Sequence, residues 1–185
     1  MYEAREQGRQ GDRETKGQGE EKRMMEKIIK LIARLLRVFP NRSIDEAINM
    51  SKKLFDKAEH SIKIVSGSLD HSFYESFLIV DALKRASDRG VEVEIVCGPD
   101  VDGETSQLFD LADAGKIKLY QLDRRPSVHF IVVDGKHVRI EEYHTPFQPE
   151  RRAYIMFDTI SLGKRLNVEF AKMRDKLESE KNRTD

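Results

Sequence analysis

The sequence has little of what builds disulfide frameworks or membrane spans. It contains one cysteine and no tryptophan in 185 residues. It also has no run of about 18 apolar residues that could cross a bilayer. One cysteine excludes an internal disulfide framework, and the position of Cys97 at the end of an apolar segment predicts a buried thiol. The N-terminal region lacks the apolar core of a secretory signal, so we expect a cytoplasmic protein.

The chain also lacks an excess of charge of either sign, because 33 lysines and arginines balance 33 aspartates and glutamates. A neutral chain has no overall attraction to nucleic acid or anionic membranes, so such contacts require a local basic patch. Nucleic-acid binding has no support from a cluster of aromatic and basic residues, because the sequence contains none. Nucleic acid therefore stays an open question as a partner. The five histidines follow no metal-ligand spacing, and no Gly-rich phosphate loop precedes a helix. We therefore predict neither a metal site nor a cofactor.

The first 40 residues divide into two segments. Residues 1–23 are charged, rich in glycine and almost free of apolar side chains, which predicts a disordered tail. Residues 24–40 contain apolar side chains at helical spacing opposite four basic residues, and Pro40 ends the pattern. Two interpretations of this basic amphipathic helix stay open. It packs against protein, either its own domain or a second subunit, or it lies on an anionic membrane surface.

From residue 43 onward, helical and strand patterns alternate. Ser43 and Glu46 have the spacing of a capping box that starts a helix. The periodicity then predicts strands at 61–66, 91–97, 116–121, 127–133, 137–142 and 153–157, and helices at 73–88, 104–114 and 159–179. This order predicts an α/β domain over residues 43–180, in which a mixed β-sheet is flanked by helices on both faces.

The segment from Arg125 to Lys136 has the most specific pattern, in which Ser127, His129 and Asp134 stand at characteristic intervals. It resembles the catalytic strand of the phospholipase D superfamily, whose motif is His-x-Lys-x4-Asp. With Asp134 in the Asp position, Ser127 takes the place of the nucleophilic His and His129 that of the Lys. The resemblance extends through the strand at 61–66, the helix and strand at 81–96, and the closing strand and helix, so it implies one complete superfamily half. The family's Gly-Ser-x-Asn-like segment has no counterpart at 138–145.

The resemblance implies phosphodiesterase chemistry. In such enzymes one His attacks phosphorus, a second His from the other half protonates the leaving group, and lysines hold the phosphate. Two of the three motif positions differ here, which implies a degenerate site. Residues i and i+2 of a strand share a face, so Ser127 and His129 are expected side by side. Asp134 lies five residues after His129 and so points to the opposite face of an unbroken strand, which argues against a Ser-His-Asp triad. It precedes Gly135 and is predicted to cap that turn.

Cations for a phosphate can come from outside the motif. The candidate phosphate-binding residues stand near the predicted ends of the motif strand and the strands that follow it: Arg124, Arg125, His144, Arg151 and Arg152. Arginine suits bidentate phosphate contacts. If these side chains and that of His137, on the following strand, converge, they form an anion site without the motif lysine. The alternative is that they are solvated surface residues.

Three functions follow as hypotheses. The first is a degenerate phospholipase D-like domain that binds a phosphate-containing ligand or a protein partner, or mediates assembly. The second is a phosphodiesterase or nuclease that uses His129; it would act as a homodimer, because the sequence has no second copy of the motif. The third is a peripheral membrane protein that binds through residues 24–39.

Overall fold

The computed structural model describes residues 38–41, 43–99, 106–142 and 152–181. Phe39–Asp185 forms one compact unit, and the other unit, Met1–Val38, lies outside the described residues except for Val38. The predicted disordered tail and residues 24–37 of the predicted helix therefore lie outside the described part. Both remain predictions.

A seven-stranded sheet forms the centre of the domain. Its strands are β1 (Val38–Asn41), β2 (Ser61–Ser66), β3 (Glu92–Cys97), β4 (Lys118–Gln121), β5 (Phe130–Val133), β6 (His137–Glu141) and β7 (Ala153–Met156). They lie in the order β1-β7-β6-β5-β2-β3-β4. Strands β2, β3 and β4 are parallel, whereas β5, β6 and β7 join by antiparallel pairing beside β2. The predicted mixed sheet is confirmed.

Helices cover both faces of the sheet, as predicted. They are α1 (Ile44–Asp56), α2 (His71–Tyr74), α3 (Phe77–Asp88), α4 (Gln107–Asp113) and α5 (Ile160–Lys181). Alternate side chains of β5 point to opposite faces of the sheet and join two different hydrophobic clusters. Ile131 and Val133 join the core beneath α1 to α4, whereas Phe130 and Val132 pack with Phe170 of α5.

Three predicted elements differ from the observed ones. The strand predicted at 127–133 begins at Phe130, so Ser127 and His129 precede it and do not share a face within it. The helix predicted at 73–88 is two helices, because Ser76 has an extended backbone between α2 and α3. Val38 and Phe39, predicted at the end of a helix, lie in β1, where Phe39 packs edge-to-face on Phe157 at 5.7 Å between ring centroids. Strand β1 is at the edge of the sheet, a position that tolerates Pro40 because no ladder hydrogen bond from its nitrogen is required. Burial of an aromatic ring has outweighed the helical pattern here.

Strand direction determines which residues can meet. At one end of the sheet, β2, β3 and β6 finish at Ser66, Cys97 and Glu141, while β5 and β7 begin at Phe130 and Ala153. We call this the motif end. Segments that leave or enter the sheet there lie close together, so it brings the residues before β5 beside those after β2 and β3.

Candidate ligand site at the motif end of the sheet

His129 is held at the motif end by Glu141. The two residues face each other just before β5 and at the end of β6, where the backbone N–H of Glu141 donates to the carbonyl of His129 at 3.0 Å. The His129 Nδ1 lies 3.2 Å from Glu141 Oε2. Its Nε2 lies against Gly67, since a Cβ added to Gly67 would stand 2.8 Å from that nitrogen. The ring therefore occupies the space that a side chain at position 67 would need.

Arg139 completes a buried ionic network with the same carboxylate. Its side chain is 6% exposed, and its Nη1 donates to Glu141 Oε1 at 2.6 Å. The guanidinium carbon lies 5.1 Å from the centroid of the Phe73 ring in α2. Its Nε has no hydrogen-bond acceptor among the described residues. A buried cation of this kind depends on its carboxylate partner.

The network fixes the protonation of its members. Burial alone would raise the pKa of Glu141, but the hydrogen bond from His129 and the charge and hydrogen bond of Arg139 outweigh it and hold that pKa well below its usual range. Burial, reinforced by the charge of Glu141, raises the pKa of Tyr74 far above its ordinary value. Glu141 is therefore ionised and Tyr74 neutral at neutral pH. An ionised carboxylate only accepts, so the Nδ1–H of His129 donates to it.

Two glycines bring the loops after β2 and β3 into contact. Gly67 follows β2 and Gly98 follows β3, and a Cβ added to Gly98 would stand 2.2 Å from the carbonyl oxygen of Gly67. The same Cβ would be 3.3 Å from Cγ of Arg125. The missing side chain at Gly98 thus allows the loop before β5 to lie across the end of β3.

A groove of about 440 Å³ opens beside this loop. One wall is the loop between β4 and β5, residues 122–127, and the other is the stretch of α5 from Glu169 to Lys176. The lining residues are Leu122, Asp123, Arg124, Arg125, Pro126, Ser127, Glu169, Lys172, Met173 and Lys176. Three of the residues proposed from the sequence, Ser127, Arg124 and Arg125, therefore line one groove together with lysines from α5.

The family model described as "Transcriptional regulator TrmB, EBD N-terminal subdomain" matches residues 37–176. This chain belongs to the family of TrmB EBD N-terminal subdomains. No curated protein sequence matches it significantly.

The structure of this TrmB-type subdomain is similar to several solved structures. TrmBL2, described as an archaeal chromatin protein with a novel mode of DNA binding, matches with a TM-score of 0.61 and 19% identity, over 91% of this chain and 66% of its own. The phospholipase D family member Nuc from Salmonella typhimurium matches with a TM-score of 0.59 and 19% identity, over 75% of this chain and 93% of its own. NucT from Helicobacter pylori matches with a TM-score of 0.58 and 15% identity, over 75% of this chain and 96% of its own. The phospholipase D-like α/β fold is thereby shown, and this chain spans just under two thirds of TrmBL2.

The other residues proposed from the sequence are more dispersed in the TrmB-type subdomain. Arg152 is exposed at the motif end, where its carbonyl accepts from the N–H of Glu142 at 2.8 Å. His144 and Arg151 lie outside the described residues. His137 begins β6 and so lies at the opposite end of the sheet, where its Nδ1 accepts from the N–H of Asp158 at 3.2 Å. It does not join the candidate site.

Asp134 also lies at the opposite end, in the turn after β5. Its carboxylate accepts from the backbone N–H groups of His60 at 2.8 Å, Ser61 at 2.9 Å and Glu59 at 3.1 Å. It thus ties down the segment before β2, rather than only capping its own turn as the sequence suggested. Burial would raise its pKa, but the three N–H groups hold that pKa below the usual value.

Sequence reasoning missed Arg139 and Glu141. They stand two apart in a predicted strand, which places them on one face. That spacing was the available signal. Among the described residues, no group of histidine, cysteine and carboxylate side chains is arranged to hold a metal ion.

The lowered pKa values of Glu141 and Asp134 predict acid sensitivity. A carboxylate whose folded pKa lies below its unfolded pKa contributes stability that is complete above the unfolded value and is lost as pH falls. We expect the free energy of unfolding, measured with urea, to decrease from about pH 5 to about pH 3. The decrease should be shallower in the double variant Arg139→Met/Glu141→Leu. Identical slopes for the two proteins would contradict a contribution from Glu141.

Proposed function

We propose that this TrmB-type subdomain is a catalytically degenerate, phospholipase D-like module of a transcription regulator, which acts by binding a phosphate-containing ligand or a protein partner. The observation that carries the proposal is the state of His129. It stands where the phospholipase D motif has its phosphate-binding lysine, yet its ring is held by Glu141 and packed on Gly67. The family match supports a regulatory setting.

The chemistry of the motif end supports binding over turnover. Phosphoryl transfer needs a nucleophile and cations directed at the developing negative charge. Ser127, at the nucleophile position, is an alcohol in an exposed loop, and no base is seen to hydrogen-bond it among the described residues. The cation nearest His129 in the network, Arg139, is buried and already paired with Glu141. A substrate phosphate would have to compete with that carboxylate.

The alternative function, a homodimeric phosphodiesterase or nuclease, has one observation in its favour. A carboxylate that accepts from Nδ1–H orients an imidazole and leaves Nε2 as the reactive nitrogen. The pairing of His129 with Glu141 has this arrangement. A second subunit would then have to bring its own His129 opposite, with cations around the phosphate. The packing of Nε2 on Gly67 opposes this function.

A hydrolysis assay separates the two functions. We expect no turnover of a generic phosphodiester above background by the native protein, and the same background for His129→Ala. Losing one electrostatic contact of this kind typically costs about 10²–10³ in rate, and two motif positions differ here. The control is Lys164→Ala, which changes an exposed residue of α5 that does not line the groove. Hydrolysis by the native protein that disappears in folded His129→Ala and persists in Lys164→Ala would establish the phosphodiesterase instead.

DNA binding is a further candidate because TrmBL2, similar in fold, is described as a DNA-binding chromatin protein. A mobility-shift titration at rising salt tests it, since phosphate-backbone contacts give binding that weakens steeply with salt. Membrane contact through residues 24–39 stays a prediction, testable by flotation with anionic vesicles. Within the described ranges, no helix is long and apolar enough to cross a bilayer.

A further inference from the structure

We propose that the groove between the β4–β5 loop and α5 is a binding site for a small phosphate-bearing anion. We call it the loop–helix groove; its lining is residues 122–127 together with Glu169, Lys172, Met173 and Lys176. The inference rests on the proposed function and deepens it by locating one ligand site. It concerns a surface to which no motif position supplies a cation.

Both walls of the groove carry positive charge. Arg124 and Arg125 are adjacent in the loop, and both are exposed. Lys172 and Lys176 are four residues apart in α5, so they lie one turn apart on the same face of the helix. Planar guanidinium groups on one side and ammonium groups on the other suit the tetrahedral oxygens of a phosphate.

The charge balance in the groove favours an anion. Its lining holds four cationic side chains and two carboxylates, those of Asp123 and Glu169, in a chain whose overall charge is zero. One of the carboxylates is already engaged, since Lys172 Nζ donates to Glu169 at 2.8 Å. The side chains of this pair are 65% and 50% exposed, so the pair is weakly held and open to exchange. A phosphate entering the groove can therefore take over Lys172 at small cost.

The size and floor of the groove fit a small organic phosphate. Its volume of about 440 Å³ falls within the range of small-molecule sites. Three half-buried apolar residues, Leu122, Pro126 and Met173, contribute to its lining. Such a lining accepts an apolar or planar portion of a ligand whose phosphate meets the cations.

Both walls are held in place by the fold. The N–H of Leu122 donates to the carbonyl of Cys97 at 2.8 Å, which fixes the start of the loop to the end of β3. Helix α5 is anchored by the buried ring of Phe170 and by Arg174, whose Nη1 donates to buried Glu94 at 3.4 Å. A site built on fixed elements loses less conformational entropy when a ligand binds.

The test is isothermal titration of the whole protein with inorganic phosphate, pyrophosphate and phenyl phosphate, beside the double variant Arg124→Gln/Arg125→Gln. The matched control is Lys164→Gln/Arg165→Gln, which removes the same charge from exposed positions of α5 that do not line the groove. We expect millimolar or tighter binding to the native protein, about tenfold or more weaker binding to the loop variant, and unchanged binding to the control. A second variant, Lys172→Gln/Lys176→Gln, tests the other wall and should weaken binding similarly.

Each other outcome overturns the inference. Absence of binding by the native protein does so, as does binding that survives both groove variants. An equal loss in the control variant would show a general charge effect. Circular dichroism checks that every variant is folded, and if one wall's variant is not, the other decides the question. Failure here leaves the hydrolysis result untouched, whereas hydrolysis that depends on His129 would refute the proposed function whatever the groove binds.

Discussion

Replacing Glu141 with alanine is expected to lower the free energy of unfolding by about 3–5 kcal/mol, the usual cost of leaving a buried charge unpaired. Arg139 would keep its charge at 6% side-chain exposure and lose the carboxylate that accepts from its Nη1. His129 would lose the acceptor for Nδ1 as well. Urea unfolding followed by circular dichroism measures the change.

The double variant Arg139→Met/Glu141→Leu separates this cost from the loss of packing. Removing both charged groups and keeping similar volume is often nearly neutral, because the desolvation of each ion is removed together with their attraction. We therefore expect the double variant to recover most of the stability lost in Glu141→Ala. A double variant as unstable as the single one would show that packing around β6, rather than ionic pairing, determines the loss.

The second large effect is expected for Asp134→Ala, which should cost about 3 kcal/mol. Three backbone N–H groups, at Glu59, His60 and Ser61, would lose the carboxylate that accepts from them. Alanine would also have to adopt the positive φ of 52° found at Asp134, which costs a further share of that total. The measurement is again equilibrium unfolding.

Asp134→Asn is the matched control for this prediction. Asparagine tolerates a positive φ and retains one side-chain oxygen, so it should cost about 1 kcal/mol. If Asp134→Asn lowers the free energy of unfolding as much as Asp134→Ala does, the negative charge of the carboxylate accounts for the effect. If Asp134→Ala and Asp134→Asn both cost little, water replaces the carboxylate as the acceptor for the three backbone N–H groups.

The fold was predictable because its signals are local. Apolar residues at alternating or helical spacing marked the strands and α5, and the Ser43 hydroxyl accepts from the N–H of Glu46 as the capping pattern predicts. The break between α2 and α3 carried no such signal, since Ser76 is not a helix-breaking residue by type. In β1, contact between Phe39 and Phe157, 118 residues apart in sequence, decided the conformation. Long-range packing of this kind leaves no periodic pattern.

The candidate site was predictable in part. The sequence indicated Arg124 and Arg125, but the lysines that face them across the groove come from α5, far along the chain. Their partnership depends on how α5 crosses the sheet. Arg139 was missed for a different reason: a charged residue in a strand is ordinarily read as facing solvent, and only the tertiary fold places it beneath α2.

The position of Asp134 at the far end of β5 separates two tasks along one short stretch of chain. Its carboxylate holds the entry to β2, whereas Ser127 and His129 stand before the other end of the strand. A substitution at Ser127 or His129 therefore leaves the contacts of Asp134 intact. The scaffold can keep its aspartate while the residues that precede β5 vary.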